Sequence, residues 1–166
     1  MTVHHGSFKV KNDKSKPIFH DVTDKVEEIV LTSSVGNGIA VVFSQHTTCS
    51  VIIQEECHDT INDGTKFILQ DLLEIFDDII PKCIREGQYL HPGPEHIDVA
   101  TKELNEHSTW SLNTDAHLRS CILGRSESIP IIDGKLELGD FGKIYFVDFD
   151  SVRKRERNVH IQIVGE

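Results

Sequence analysis

Polar and apolar residues alternate in "SFKVKN", Ser7 to Asn12, with the period of two that a half-buried strand requires. The period then lengthens. Val22, Val26, Ile29 and Val30 recur at helical spacing, with Asp21 and Asp24 near the end where the helix dipole favours negative charge. After the turn signal "VGNG", the β-branched runs "IAVVFSQ" and "SVIIQEE" have strand length and are expected to be central strands. From about Thr60 to Ile80, the positions of Ile61, Ile68, Leu69, Leu72, Ile75, Phe76 and Ile79 predict the longest helix, stopped by Pro81. "EGQYLHPGPEHID" holds two prolines and two glycines and reads as a loop of the length that often carries function. "DVATKELNEH" and "DAHLRSCILG" predict two shorter helices, the second closed by Gly124 as a left-handed cap. In "SIPIIDGKLELGD" the pair Asp133-Gly134 joins two apolar runs into a hairpin, and "KIYFVDFD" and "NVHIQIVG" supply two further strands. Strands, then helices, then strands again imply an α+β fold, a largely antiparallel sheet packed with helices in a single domain over residues 1–166.

Composition narrows the function classes. The chain has 27 acidic against 17 basic residues, a net charge of −10 that repels a phosphate backbone, so nucleic-acid binding is not expected. No apolar run approaches the roughly 20 residues that span a bilayer, and "MTVHHGSFKVKND" lacks the apolar segment of a signal peptide. Cysteines at 49, 57, 83 and 121 form no CxxC pair. Together these point to a cytoplasmic protein with reduced thiols and no membrane partner.

Candidate chemistry lies at element ends. His46 ends one predicted strand beside Gln45, Thr47 and Thr48, where its imidazole could serve as base, acid or ligand, or could simply be hydrogen-bonded into a turn. Alternation along the next strand puts Glu55 on the face of Val51 and Ile53, an unusual setting for a carboxylate unless it has a partner; a solvated strand end is the other reading. Asp115 is placed to cap a helix, and His117 lies in that helix's first turn, where the dipole favours the neutral ring. His91 and His96 in the loop, and Cys49, are not diagnostic alone. No HExxH or paired CxxC motif is present, so any metal site must be assembled from distant segments. In "SVRKRERN", the one basic cluster, Arg153, Arg155 and Arg157 would project to one side of an extended chain, as an anion cradle or as a charged hairpin between the last two strands.

Taken together, "SQHTTCSVIIQEE", "DAHLRSCILGRSESIPIIDGKLELGDFGKIYFVDFD" and the closing "VHIQIVG" resemble the YjbQ family, whose members are described as secondary thiamine-phosphate synthases or have no assigned activity. The resemblance covers nearly the whole chain, and the glycine-spaced segment "SIPIIDGKLELGDFGKI" is its most specific part. It implies a compact α+β homotrimer with His46, Glu55 and His117 gathered at a catalytic site. Two departures stand out: Gly139-Asp140-Phe141-Gly142 replaces the family's usual Gly-Thr-Trp-Gln, and Gln54-Glu55-Glu56 its Asn-Glu-Asn. The chain is also far shorter than the roughly 250 residues of a (β/α)₈ barrel, the fold of dedicated thiamine-phosphate synthases, and has the wrong element order. The expectation is therefore a small-molecule enzyme on an anionic or phosphorylated substrate. Its catalytic residues would be His46, Glu55 and His117, and Thr47, Thr48, Asp115, Arg153 and Arg155 would bind substrate. A divalent metal of undetermined identity would sit on His46 and His117. The alternative is a noncatalytic, homotrimeric binder of a metal or metabolite.

Overall fold

The N-terminal alternation runs further than Ser7–Asn12: β1 spans Thr2–Asn12 and pairs antiparallel along its length with β8, Arg155–Gly165. The structure, a computed structural model, describes residues 1–13 and 16–166. Between these two strands come β2 (Ile18–Asp21), α1 (Thr23–Ser33), β3 (Gly38–Ser44), β4 (Cys49–Glu55) and α2 (Phe67–Ile79). There follow α3 (Pro94–Lys102), a 3₁₀ turn (Ser108–Ser111), α4 (Thr114–Leu123), β5 (Ser126–Ile132), β6 (Lys135–Leu136) and β7 (Gly142–Asp148). The fold is α+β, and its strands divide into two antiparallel sheets, β1-β8-β3-β5-β6 and β2-β7-β4.

Packing explains the division. Val42, Ile129 and Ile161 of the larger sheet meet Val51, Ile144 and Phe146 of the smaller one, with Val26 and Val30 of α1 closing the same core. The smaller sheet's other face carries Ile52, Tyr145 and Val147 against Leu69, Leu73 and Phe76 of α2 and Ala116 of α4. β7 is covered on both faces, which is why its sequence is almost continuously apolar. Gly38 and Gly165 pair directly where β3 meets β8; a Cβ on Gly38 would lie 2.3 Å from the Val164 carbonyl oxygen, so only glycine fits. The larger sheet's outer face is uncovered in the single chain: Val3, Val164 and Ile39 form one cross-strand row, 64%, 38% and 51% exposed. Among the described residues no helix is long and apolar enough to cross a membrane.

Several expectations change. β3 is central, but β4 is an edge strand of its sheet. The longest helix begins at Phe67 rather than near Thr60, because Asp63 accepts the Thr65 N–H and Gly64 takes a positive φ of 90°, closing a turn before it. α3 starts earlier than "DVATKELNEH", with Pro94 in its first turn where a missing N–H is harmless. Asp115 does not cap α4; Asn113 holds that position without a side-chain hydrogen bond. Gly124 has a positive φ of 86° but an extended ψ of 166°, so it ends α4 without a left-handed cap. Asp133 and Gly134 both have positive φ, the tight hairpin turn their sequence favours. The basic segment is no hairpin: β7 and β8 lie in different sheets, and the residues between them cross from one to the other.

That crossing is bolted by charge. Arg157 on β8 is 2% exposed and donates through Nε to Asp148 Oδ2 of β7 (2.8 Å) and through Nη2 to Asp148 Oδ1 (3.1 Å), Asp150 Oδ2 (3.2 Å) and Thr48 Oγ1 (3.2 Å). Cys49 adds its thiol to Asp148 Oδ1 at 3.4 Å, and burial followed by that carboxylate pushes the thiol pKa far up, so it is a core residue rather than a nucleophile. Removing one partner of a buried pair strands the other charge. Asp148→Ala is expected to lower stability by about 3–5 kcal/mol in urea unfolding, whereas Asp98→Ala, which breaks the exposed pair with Lys102, should stay within about 0.5 kcal/mol.

Candidate functional site

Two chain segments change sheets side by side. Residues 45–48 carry the chain from β3 to β4, and residues 149–154 carry it from β7 to β8. The register places them together: Ser44 pairs with Val159, and Cys49 with Asp148. Ser44 Oγ accepts the His46 N–H (3.1 Å), Cys49 N–H reaches the His46 carbonyl (3.1 Å), and Phe149 N–H reaches that of Thr48 (3.1 Å). The result is a rigid floor under a cavity of about 360 Å³, within the range of small-molecule sites. His46, Thr47, Thr48, Arg153, Arg155 and Arg157 line it from the crossings; His117 and Asn113 from α4; His96 and Glu106 from α3 and the chain beyond it. A larger, more open groove of about 640 Å³, lined by Asp63, Ser151 and Lys154, adjoins at Arg153 but lacks the histidines.

The two histidines expected from the sequence reach this cavity in complementary states. His46 Nε2 accepts the Asn158 backbone N–H at 3.1 Å, so the neutral ring carries its proton on Nδ1. Burial first, then the Arg157 guanidinium, holds its pKa below the ordinary value, against the opposing pull of Asp148. His117 is also lowered, chiefly by burial, although a hydrogen bond to the Thr47 backbone favours its charged form. His46 is thus a fixed donor through Nδ1, and burial shifts His117 toward the neutral form that can accept a proton. His91 packs between His96 and His117, with ring centroids 4.7 and 5.6 Å away, and hydrogen-bonds Thr114 Oγ1 through Nδ1 (2.9 Å). Its pKa is lowered by burial and then by those two neighbours.

In a chain of net charge −10, the cavity wall holds three arginines against one carboxylate. Arg157 is spent on Asp148 and Asp150. Arg155 Nε approaches Asp150 Oδ2 at 3.6 Å, and the Nε atoms of Arg153 and Arg155 are both buried without a hydrogen-bond partner among the described residues. Burial raises the Asp150 pKa despite the Arg157 guanidinium beside it. Arg153 and Arg155 thus bring hydrogen-bonding capacity to the cavity wall that the described residues do not fully use.

Other expected residues lie elsewhere. Glu55 is exposed at the far end of β4, roughly 20 Å along the strand from Cys49, on the side of the half-exposed Ile53. Within one chain it does not approach the histidines. Asp115 is buried outside the cavity lining, where it accepts the Cys83 N–H (3.0 Å) and faces Arg119 (4.0 Å). Phe141 and Gly142 are also remote from the lining; Phe141 is 63% exposed, and a Cβ on Gly142 would meet the Leu138 carbonyl oxygen at 2.1 Å. His46 cannot ligate a metal through Nε2 while Asn158 occupies it, and among the described residues no three His, Cys, Asp or Glu side chains are arranged to hold one. Glu106 and Asn113 join the wall unannounced by any motif, and His96 joins it from the loop in which its sequence alone was not diagnostic, whereas the buried partners of Arg157 had a signal in "DFD", two carboxylates spaced to share a face at the end of an apolar strand.

Comparison with known proteins places this arrangement in a family. Residues 7–166 match the family model described as UPF0047 protein YjbQ-like. A UPF0047 protein of Archaeoglobus fulgidus is 30% identical over 135 residues, 81% of this chain and 83% of that protein. The UPF0047 protein YugU of Bacillus subtilis is 28% identical over 145 residues, 87% of this chain and 88% of its own length. Among solved structures, a YbjQ-like protein of unknown function from Sulfolobus solfataricus superposes with a TM-score of 0.74 at 26% identity, covering 99% and 98% of the two chains. A hypothetical protein from Aeropyrum pernix superposes with a TM-score of 0.72 at 30% identity, covering 98% and 99%. A family match over almost the full length, backed by the shared fold, establishes that the chain belongs to the UPF0047 YjbQ-like family.

Proposed function

We propose that the chain is a small-molecule enzyme acting on an anionic, phosphorylated substrate, with the anion held by Arg155 and Arg153 and proton transfer carried by His117. The Nε donors of the two arginines carry this reading: both are buried without a hydrogen-bond partner among the described residues, although Arg155 Nε lies 3.6 Å from Asp150 Oδ2. Guanidinium offers a planar fork that matches phosphate oxygens, and a water-poor wall strengthens each contact. His117, neutral and anchored on Thr47, is the base; His46 donates from Nδ1 to a group that gains negative charge. Thr47 and Thr48 would orient the substrate. Thiamine-phosphate synthesis, in which the nitrogen of a thiazole phosphate displaces pyrophosphate from a pyrimidine diphosphate, falls within this class because both substrates and the leaving group are phosphate anions that the arginines can hold. A divalent metal in the cavity would take the His117 lone pair as its ligand, joined by groups of the substrate, and His117 would then hold the metal in place of accepting a proton. Glu55 could serve only at the cavity of a neighbouring copy, which fits assembly as a homotrimer through surfaces such as the uncovered face of the larger sheet.

Inorganic pyrophosphate titrated by calorimetry tests the anion site. Arg155→Lys should bind it about ten- to a hundredfold more weakly at moderate salt, the loss of a charge-assisted contact of about 1.5–3 kcal/mol. Equal binding by both proteins would show the cluster to be a solvated surface. Light scattering at micromolar concentration is expected to give the mass of three chains; a monomer would refute the assembly and with it any role for Glu55.

The histidines also predict a pH dependence. His46, His91 and His117 all have folded pKa values below the ordinary histidine value of about 6.5, so the unfolded chain binds protons first on acidification. Their contribution is complete above that value and is lost as pH falls through the depressed folded values. Asp115 and Asp150, raised by burial, act in the opposite sense as pH falls through their own folded values. Urea midpoints are expected to drop between about pH 7 and pH 5.5, and to drop less in His117→Asn.

A further inference from the structure

The roof of the cavity is held down by charge. Glu106 lies just beyond α3, its N–H bonded to the Ala100 carbonyl (2.9 Å), and its carboxylate accepts a hydrogen bond from Arg153 Nη2. The same guanidinium lies over Trp110, 4.5 Å from the ring centroid. Both partners of the ion pair are mostly covered, with side chains 26% and 19% exposed. The segment carrying Glu106 and Trp110 is otherwise lightly anchored: among the described residues Ala100 alone of α3 is buried, and Ser111 alone of the 3₁₀ turn.

We propose that the Glu106 carboxylate occupies the anion subsite at Arg153 as an internal stand-in for the ligand's phosphate, and that ligand binding displaces it and releases the roof formed by α3 and the 3₁₀ turn. This rests on the anion-binding reading above. The stereochemistry gives the reason. Glu106, tethered to its segment, satisfies Arg153 Nη2 but leaves Arg153 Nε and the neighbouring Arg155 Nε buried without a hydrogen-bond partner among the described residues. A phosphate brings three acceptor oxygens and nearly two charges, enough to take the position of the carboxylate and serve the remaining donors as well. Until that exchange the competent arrangement is only a fraction of the population, and the apparent affinity for any anion is reduced by that fraction. Glu106 therefore sets a threshold: a weakly held carboxylate offers Arg153 little that it does not already have, whereas a phosphate offers more.

Trp110 is the chain's single tryptophan, so its fluorescence reports directly on the latch. Pyrophosphate should shift the emission of the wild-type protein, and Glu106→Ala should show the shifted emission before any ligand is added. Glu106→Ala is also expected to bind pyrophosphate about three- to tenfold tighter, the gain from removing a partly buried competing charge. Glu106→Gln, with its melting temperature checked, serves if the alanine variant folds poorly. Glu103→Gln removes an equal charge from an exposed neighbouring position and should give no gain, which separates local competition from the field of the whole chain. Combining Glu106→Ala with Arg153→Lys should abolish the improvement. Equal affinity in wild type and Glu106→Ala, with Arg155→Lys still weak, would overturn the latch while leaving the anion site standing. Absence of pyrophosphate binding in every variant would overturn both.

Discussion

Arg157 is the constraint on which the rest turns. Two apolar sheet faces attract each other without fixing direction or register, since the hydrophobic effect scales with area and has no angular preference. The fork of Arg157 against Asp148, with Asp150 and Thr48 filling its remaining donor, supplies what area cannot. It ties the end of β7 in one sheet to the start of β8 in the other at the edge of their common core. Buried ion pairs of this kind contribute little net stability over an apolar replacement, because desolvation offsets most of the attraction. Their value is geometric. The two sheet crossings lie close together because this pair holds them there, and the candidate site is built on those crossings.

The same economy explains how the cavity reverses the sign of its surroundings. A chain of net charge −10 cannot present a positive surface broadly, but it can do so locally if the acids nearest the arginines are already committed. Asp148 and Asp150 neutralise the deepest guanidinium, leaving the next two along the chain partly unsatisfied at the wall. The imidazoles beside them are shifted toward the neutral form by burial, and at His46 the Arg157 guanidinium adds to that shift. Neutral rings beside positive arginines form a wall that can accept a proton without repelling an anion.

Much of the fold was legible because its periodicities are strong. β1, β3, β5 and β7 announced themselves by alternation or by β-branched runs, and the Asp133-Gly134 turn by its chemistry. The partition into two sheets was not legible, since strand patterns record which faces are buried but not which neighbours bury them. Reading "SVRKRERN" as a hairpin failed for that reason: adjacent strands in sequence were assumed to be adjacent in space. The site was legible where a residue's position follows from its own element, as for His46 after β3 and His117 in α4. It was not where tertiary placement decides. Alternation put Glu55 on one face of β4, but nothing local says that this end of the strand points away from the histidines. Glu106 was invisible because an exposed-looking carboxylate in a polar stretch becomes a wall residue only when α3 folds over Arg153.

Of the arginines at 153, 155 and 157, all on the cavity wall, the last is the most deeply buried and is also the bolt between the sheets. A β-strand turns every side chain over when its register slips by one residue. Inserting or deleting a single residue between Arg155 and Arg157 would swing the Arg155 guanidinium to the opposite face, while Arg157 and the strand beyond it stayed locked to Asp148 and β1. The spacing of Arg155 from Arg157 is thus a ruler cut by the sheet itself, one that the bend carrying Arg153 does not share.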